Sequence, residues 1–524
     1  MRRLALALLS LHALAAPAAA RTGTGDPAEV FRERPVNPDH AVDLVLHGQL
    51  RLRALGALGL DLQRGPSPTR GDSLFGDDPA FASDARLRLT PSLFVGDELR
   101  LFADVDLIAA ALGPAPTGVP WAARSDAARE AALGLLDVRA LGVDWLLPIG
   151  VLSVGRMPAH FGLGIGANDG ADLDDDGGDR ADRIAFVAPI LGTLVAAALD
   201  LGPGPSSSDF GPTTRALSIG EQALSVGVMR WHAPWELELY RQAARPLVDG
   251  GAALAFEWQS KDVVPPWVSL DWTRDAGTVR RDAHVAVLDL WARGVWGRFS
   301  LEGEGFLSDL SLDNPSPWAG VTVRRTLRGN PGAFALVGEA RLLDRPEGKI
   351  GDGLLVQLET GAASADPAPG FPDVSPTAFS GSQPGDVFGA QVDLKRGGDD
   401  RFDAARLHPL HKIDLILWRT LLGGVSEAAY ARARVEGAPL SWLRLSWLRL
   451  DAALIYSHAL SPDSAPGGVA PLGVELDLGA EATLGGSSLR VDAGSLLPLG
   501  GLGARGQGAP APAHLVLVRL GHVL

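Results

Sequence analysis

The stretch Asn168-Asp169-Gly170-Ala171-Asp172-Leu173-Asp174-Asp175-Asp176-Gly177-Gly178-Asp179 concentrates oxygen ligands more densely than other parts of the chain. Asp172, Asp174 and Asp176, followed by Gly177, match the first half of a calcium loop. There, carboxylates two residues apart converge on a hard cation and a glycine permits the sharp turn. The twelfth position of that register is Arg183 in place of a bidentate glutamate, so Asp179 or Asp182 would have to complete the shell. The segment 168–183 therefore has two readings. One is a Ca2+ site using Asp172, Asp174, Asp176 and Asp179, and the other is a solvated acidic loop. A helix–loop–helix site is excluded, because the flanks read as strand and Gly-rich loop.

Other motifs carry less chemistry. Gly162-Leu163-Gly164-Ile165-Gly166 has the composition of a phosphate-cradling loop but the spacing of no nucleotide fingerprint. Arg70-Gly71-Asp72 resembles an adhesion tripeptide and is expected by chance in a chain of this composition. His408 and His411 could share a metal only across a helical turn and lack a third partner. Neither Gly-x-Ser-x-Gly nor His-Glu-x-x-His occurs, so hydrolase chemistry has no positive support and the chain is not expected to be an enzyme. There are no cysteines, which excludes disulfides, zinc-thiolate sites and cysteine nucleophiles. The net charge of −15 and the lack of basic runs argue against nucleic acid as a partner.

Charged residues also recur at every second position, and this spacing identifies the elements that hold them. In Val42–Arg53 the even positions are mostly Leu and Val, and the odd ones are mostly Asp, His, Gln and Arg. Leu99–Leu107, Phe334–Leu342, Leu254–Gln259, Val268–Thr273 and Val474–Leu484 repeat the rhythm. Such ribbons need an apolar medium on one side and water on the other. Val95-Gly96-Asp97-Glu98 and Gly485-Gly486-Ser487-Ser488 sit between runs as hairpin turns. Longer Pro/Gly-rich connections fall at 61–80, 113–127, 164–182, 202–215 and 362–409. Short turns on one side and long loops on the other is the layout of an outer-membrane barrel. The last run, 514–520, reads as a closing strand with poor alternation.

Several runs exceed the five or six residues usual in soluble sheets and reach the nine to eleven that a tilted strand needs to cross a bilayer. Their polar faces carry full charges of both signs, which a sandwich core would not bury and a wet lumen accepts. The fold expected is all-β, a transmembrane antiparallel β-barrel of about 18 strands, within a range of about 16–20. Arg51, Arg53, Arg86, Arg88, Arg100, Asp104, Asp106, Glu475, Asp477, Arg490 and Asp492 are the expected pore-lining residues. Trp145, Trp231, Trp235, Trp258, Trp267, Trp272, Trp291, Trp296, Trp442 and Trp447 suit interfacial girdles. A soluble propeller would show a fixed repeat, and none is present; Ser-Trp-Leu-Arg-Leu at 441–445 and 446–450 has an odd period that flips the inward face.

Residues 1–20 have the three parts of a secretory signal: Arg2 and Arg3, the apolar Leu4–Ala16, and Ala18-Ala19-Ala20 before the cut. Residues 21–40 then form a short periplasmic segment, and 41–524 the barrel, with long loops at 164–182 and 362–409. The latter is either folded inward to narrow the pore or a mobile surface loop.

Gly155-Arg156-Met157-Pro158, Gly162-Leu163-Gly164, Asn168-Asp169-Gly170 and Gly178-Asp179…Asp182-Arg183 together resemble a family of uncharacterised exported proteins from myxobacteria. His411–Arg419 with Leu422-Gly423-Gly424-Val425 is similar to a second block of that family. The hairpin beginning Leu472-Gly473-Val474 resembles, more loosely, alginate-export and porin-like barrels. The resemblance implies a Gram-negative outer-membrane barrel and supplies no substrate or catalytic residue. The function expected is a porin-like channel, with outer-membrane lipid outside and small hydrophilic solutes diffusing within. The alternative is a structural or adhesive barrel plugged by its loops, with calcium on the acidic segment. The sequence leaves the oligomeric state open.

Overall fold

The computed structural model describes residues 42–60, 62, 80–111, 137–175, 177–201, 221–259, 282–313, 326–343, 353–365, 401, 403–438, 447–462, 465, 467–503 and 509–524. The proposed signal and the segment 21–40 lie outside them, as do most of 61–80, 113–127, 202–215 and 362–409, and also Trp267, Trp272 and Trp442.

The strands are β1 Val42–Leu58, β2 Ala80–Val95, β3 Leu99–Ala111, β4 Asp137–Leu147, β5 Gly150–Pro158, β6 Arg180–Ile190, β7 Thr193–Leu201, β8 Glu221–Arg230 and β9 Leu247–Gln259. The chain continues with β10 Ala283–Trp296, β11 Phe299–Leu312, β12 Leu327–Gly329, β13 Gly332–Leu343 and β14 Leu354–Ala363. It ends with β15 Ala428–Gly437, β16 Leu448–Ala459, β17 Pro471–Leu484, β18 Ser487–Pro498 and β19 Ala513–Val523. Each long strand pairs antiparallel with its sequence neighbours, and β19 closes on β1 from Gln49↔Val523 to Leu58↔His514. The three residues of β12 only extend the end of β11, which pairs along its length with β13. The result is a closed ring of 18 antiparallel staves. Closure removes every sheet edge, so no backbone row is left to be satisfied by water.

The two-residue rhythm becomes the two faces of the wall. In β1 the even residues Leu44, Leu46, Leu50 and Leu52 are exposed on the outside, while Asp43, Arg51 and Arg53 are buried inside. The same apolar exterior runs through Leu288 and Leu290 of β10, Phe334 and Leu336 of β13, and Leu476 and Leu478 of β17. An exposed belt of this kind is the surface that lipid wets. Leu478→Arg, in the middle of that belt, is expected to destabilise the barrel by about 2–4 kcal/mol in a urea titration from lipid vesicles. Leu484→Arg, on the same face at the tight-turn rim, should cost far less.

Tight turns join strands at one end: 96–98, 148–149, 191–192, 297–298 and 485–486. At the 191–192 turn both Leu191 and Gly192 take positive φ, 52° and 77°, the left-handed pair whose twist matches a two-residue hairpin. The start of β1 and the end of β19 lie at this same end. Among the connections there, the one from β8 to β9 is longer and carries α1, Pro234–Gln242. Pro234 occupies the first turn, and the Glu236 carboxylate accepts the Ala233 N–H at 2.9 Å. Arg241 donates to Ser300 Oγ (3.1 Å), and Arg341 pairs with Glu238 (3.5 Å), so α1 is tied to inward residues of β11 and β13.

Trp145, Trp296 and Trp447 are exposed at the tight-turn ends of β4, β10 and β16, as an interfacial girdle requires. Trp291 corrects the expectation. It is 5% exposed, points into the barrel and donates its indole N–H to Glu302 at 2.8 Å. Among the described residues no helix is long and apolar enough to cross a membrane.

Candidate functional site

Two chain segments enter the ring from the long-loop end. Residues 159–179 connect β5 to β6, and residues 403–427 form the end of the connection from β14 to β15. The second contains a six-residue π-helix, Leu417–Leu422, whose Leu417, Trp418, Thr420, Leu421 and Leu422 are buried. Trp418 sits in an apolar cluster with Leu55 of β1, Tyr430 of β15, Ile455 of β16, Leu496 of β18 and Leu515 and Leu517 of β19. Its indole N–H donates to Ser457 Oγ (2.9 Å), which satisfies the one polar atom of the ring. The interior at this end is a packed core.

Below the core the wall turns basic. Arg51 and Arg53 of β1 share Asp84 of β2 at 2.9 and 2.7 Å. Arg88 of β2 pairs with Asp106 of β3 at 2.8 Å, and Arg100 of β3 with Asp144 of β4 at 3.0 Å. Asp104 lies 3.7 Å from both Arg88 and Arg139. The remaining guanidinium N–H groups reach backbone oxygens of the acidic segment. Arg86 donates to Leu173 O (2.9 Å) and to Asp175 O, Arg51 to Leu173 O (3.3 Å), Arg88 to Gly170 O (3.0 Å), and Arg139 to Asp169 O (2.6 Å). The sequence reading missed Arg139 because β4 carries an irregularity in register opposite Asp104 and Val105, which breaks the two-residue count.

Asp174 is the hub of this arrangement. Its carboxylate meets Arg419 (2.6 Å), Arg519 (2.6 Å), Arg53 (3.5 Å) and Lys412 (3.7 Å), cations drawn from segment 403–427 and from the first and last strands. Burial by itself would raise its pKa, but Arg419, Lys412, Arg519 and Arg53 outweigh that and hold it well below the usual aspartate range. Asp175 binds Lys412 at 2.5 Å. Asp179 accepts the Asn168 N–H (2.9 Å) and faces His408 (3.4 Å). Burial and then Asp175 push Asp172 up. Asp176 lies outside the described residues.

The carboxylates of the acidic segment thus face protein cations and N–H groups in several directions. Among the described residues no set of three or more His, Asp or Glu side chains is placed to hold a metal ion. Thermal melts with millimolar calcium and with a chelator are accordingly expected to superimpose. A rise in Tm with calcium would show that the ion binds the folded state.

Both segments are docked by the same device, a wall carboxylate seated in a row of backbone N–H groups. Glu475 of β17 accepts from Leu415 (2.9 Å), Ile416 (2.7 Å) and Leu417 (3.0 Å). Asp414 accepts from Trp418 and Arg419, each at 3.1 Å, and burial followed by the nearby Glu475 pushes its pKa well above the usual range. On the other segment, the glycine-rich turn at 162–166 gives its Leu163, Ile165 and Gly166 N–H groups to Glu304 of β11. It has the geometry of an anion cradle, and the barrel's own carboxylate fills it. His408 and His411 do not form a common site. His411 Nε2 faces Glu359 (3.1 Å) and Tyr430 (3.2 Å), whereas His408 Nδ1 accepts the Leu410 N–H (3.1 Å) and its Nε2 faces Asp179.

All eleven nominated lining residues lie on strands and turn inward. Arg51, Arg53, Arg86, Arg88, Asp106, Glu475, Asp477 and Asp492 are buried; Arg100, Asp104 and Arg490 are half-buried. Arg490 bonds Asp492 and Asp451 at 2.7 and 2.9 Å, and Arg519 bonds Asp492 at 3.1 Å.

No family model matches the chain, and no curated protein matches it. Solved barrels do. OprD from Pseudomonas aeruginosa is 10% identical, with 92% of this chain and 93% of that chain covered and a TM-score of 0.45. OccK8 (OprE) from the same organism is 9% identical, over 92% and 98%, at 0.45. An anion-selective porin from Comamonas acidovorans is 11% identical, over 92% and 100%, at 0.39. At such identities and scores the likeness says nothing of what passes through the ring.

Proposed function

We propose that this chain is a porin-like channel of a Gram-negative outer membrane, exported through a cleaved signal at 1–20, and that it passes small hydrophilic solutes by diffusion without catalysing a reaction. The observation that carries the reading is the division of the closed wall into an apolar exterior, which lipid would wet, and a polar interior, the alternation of a barrel that encloses water. Segments 159–179 and 403–427 narrow the lumen in this reading, and Arg490, Arg100 and Asp104 remain half-buried beside the narrowing.

The apolar cluster around Trp418 favours a second reading, a structural barrel closed by its own loops. Planar-bilayer recording of the purified protein separates the two. The channel reading expects discrete current steps, and their absence across several preparations refutes it.

A further inference from the structure

The inner wall is chemically lopsided. From β14 through β19 and on to β4 it carries the arginines and carboxylates that the inward segments bury, with Arg51 at 2%, Arg86 at 3% and Arg88 at 3% exposure. From β6 to β9 it is built differently. Ala185, Ala198, Ser225 and Ala255 lie side by side in register on the inner face, and Val187, Ala196, Gly227 and Ala253 form the next row. None of these eight residues is buried. Asp200 and Arg183, at the long-loop end, neutralise each other at 2.5 and 2.8 Å. The bulky groups opposite belong to the docked segments. Gly162 has φ +55, and a methyl group there would strike the Glu304 carboxylate and the Trp291 ring, so segment 159–179 is held tightly against β10 and β11.

We infer that the conducting path runs along the small-residue wall of β6–β9, with the arginine ladder serving as the seat of the inward segments and not as the lining of the path. This deepens the channel reading and rests on it. These two rows present no fixed charge, and in the row toward the long loops Arg183 and Asp200 pair while Glu257 adds a single carboxylate. The class of solute the path fits is small, polar and uncharged, and ions of either sign should cross with little preference.

The absence of cysteine makes the test direct. Single variants Ala198→Cys and Ser225→Cys report on the inferred path. Ser92→Cys, a near-isosteric change beside Arg100 on the ladder side, reports on the alternative, and Val226→Cys faces lipid. A water-soluble charged thiol reagent should modify positions 198 and 225 at least about tenfold faster than 92 or 226. Modification at 225 should also lower the single-channel current, and the unmodified channel should show an anion-to-cation permeability ratio within about twofold of unity.

Fast labelling at 92 with slow labelling at 198 and 225 overturns the path. So does a strong anion preference in the native channel. Labelling is read in detergent and does not need current, so a barrel that labels as stated and conducts nothing refutes the channel reading while leaving the open side of the lumen in place.

Discussion

Glu475→Ala is expected to release segment 403–427 from the wall and, on the channel reading, to enlarge the current steps. The carboxylate lost is 2% exposed and receives three consecutive backbone N–H groups. Alanine leaves all three donors buried without acceptors, and an orphaned donor costs about 1–3 kcal/mol. A total near 3 kcal/mol would shift the docking equilibrium by roughly two orders of magnitude. Trypsin reads the result, because Lys412 and Arg419 lie within the segment and are held by Asp174 and Asp175 when it is docked. Glu475→Gln keeps one acceptor oxygen and should fall between native and alanine. If the alanine variant resists trypsin as the native protein does, the segment is held by its apolar cluster, and the carboxylate is incidental to docking.

Asp174→Asn should have an effect of similar size through a different route. It strips the counter-charge from Arg419, Arg519, Arg53 and Lys412, which would then face one another in a space where the carboxylate is about one-eighth exposed. Breaking a buried ion pair from one side costs about 3–5 kcal/mol, since the surviving charges are left uncompensated. The same group gives a pH dependence whose sign follows from its depressed folded pKa. Its contribution is present above the unfolded aspartate value of about 4 and is lost as pH falls through the lower folded value. Acid titration of the native protein should therefore loosen segment 159–179 below about pH 4, whereas Asp174→Asn, already loosened, should lack that step. Proteolysis after brief acid exposure would register the difference, and coincident profiles would remove Asp174 from the account.

The ring itself was legible because a strand in a lipid-facing wall has no choice about its faces. Val42–Arg53 and Val474–Leu484 show the alternation cleanly, and the turns at Gly96 and Gly485 fall where the rhythm stops. What fills the ring was less legible. Charges on the inner face were expected to meet water, and Arg51, Arg86 and Arg88 instead meet the backbone oxygens of segment 169–175. The period of two reports which way a side chain points and nothing about what occupies the space it points into.

One signal was present in the irregular places. The 514–520 run alternates poorly because its inward Leu515 and Leu517 pack against the Trp418 cluster, so both faces of β19 are apolar there. Likewise β1 passes from Arg51 and Arg53 to inward Leu55 and Ala57. A staple of apolar residues on both faces at one end of a stave marks a ring that is filled at that end. Trp291 was misplaced for a related reason: its neighbours in sequence suit a girdle, but its parity in β10 sends it inside.

The seam between β1 and β19 also imposes an order in time. Arg53 belongs to the first stave and Arg519 to the last, and Asp174, near the middle third of the chain, needs both. Its nest of cations cannot exist until the two remote ends have met. Assembly must then proceed with the wall first and the filling afterwards, with a wide and hydrated cylinder as the transient form. Contacts between such distant parts of a chain form slowly, so the seating of the filling should be the late step of folding.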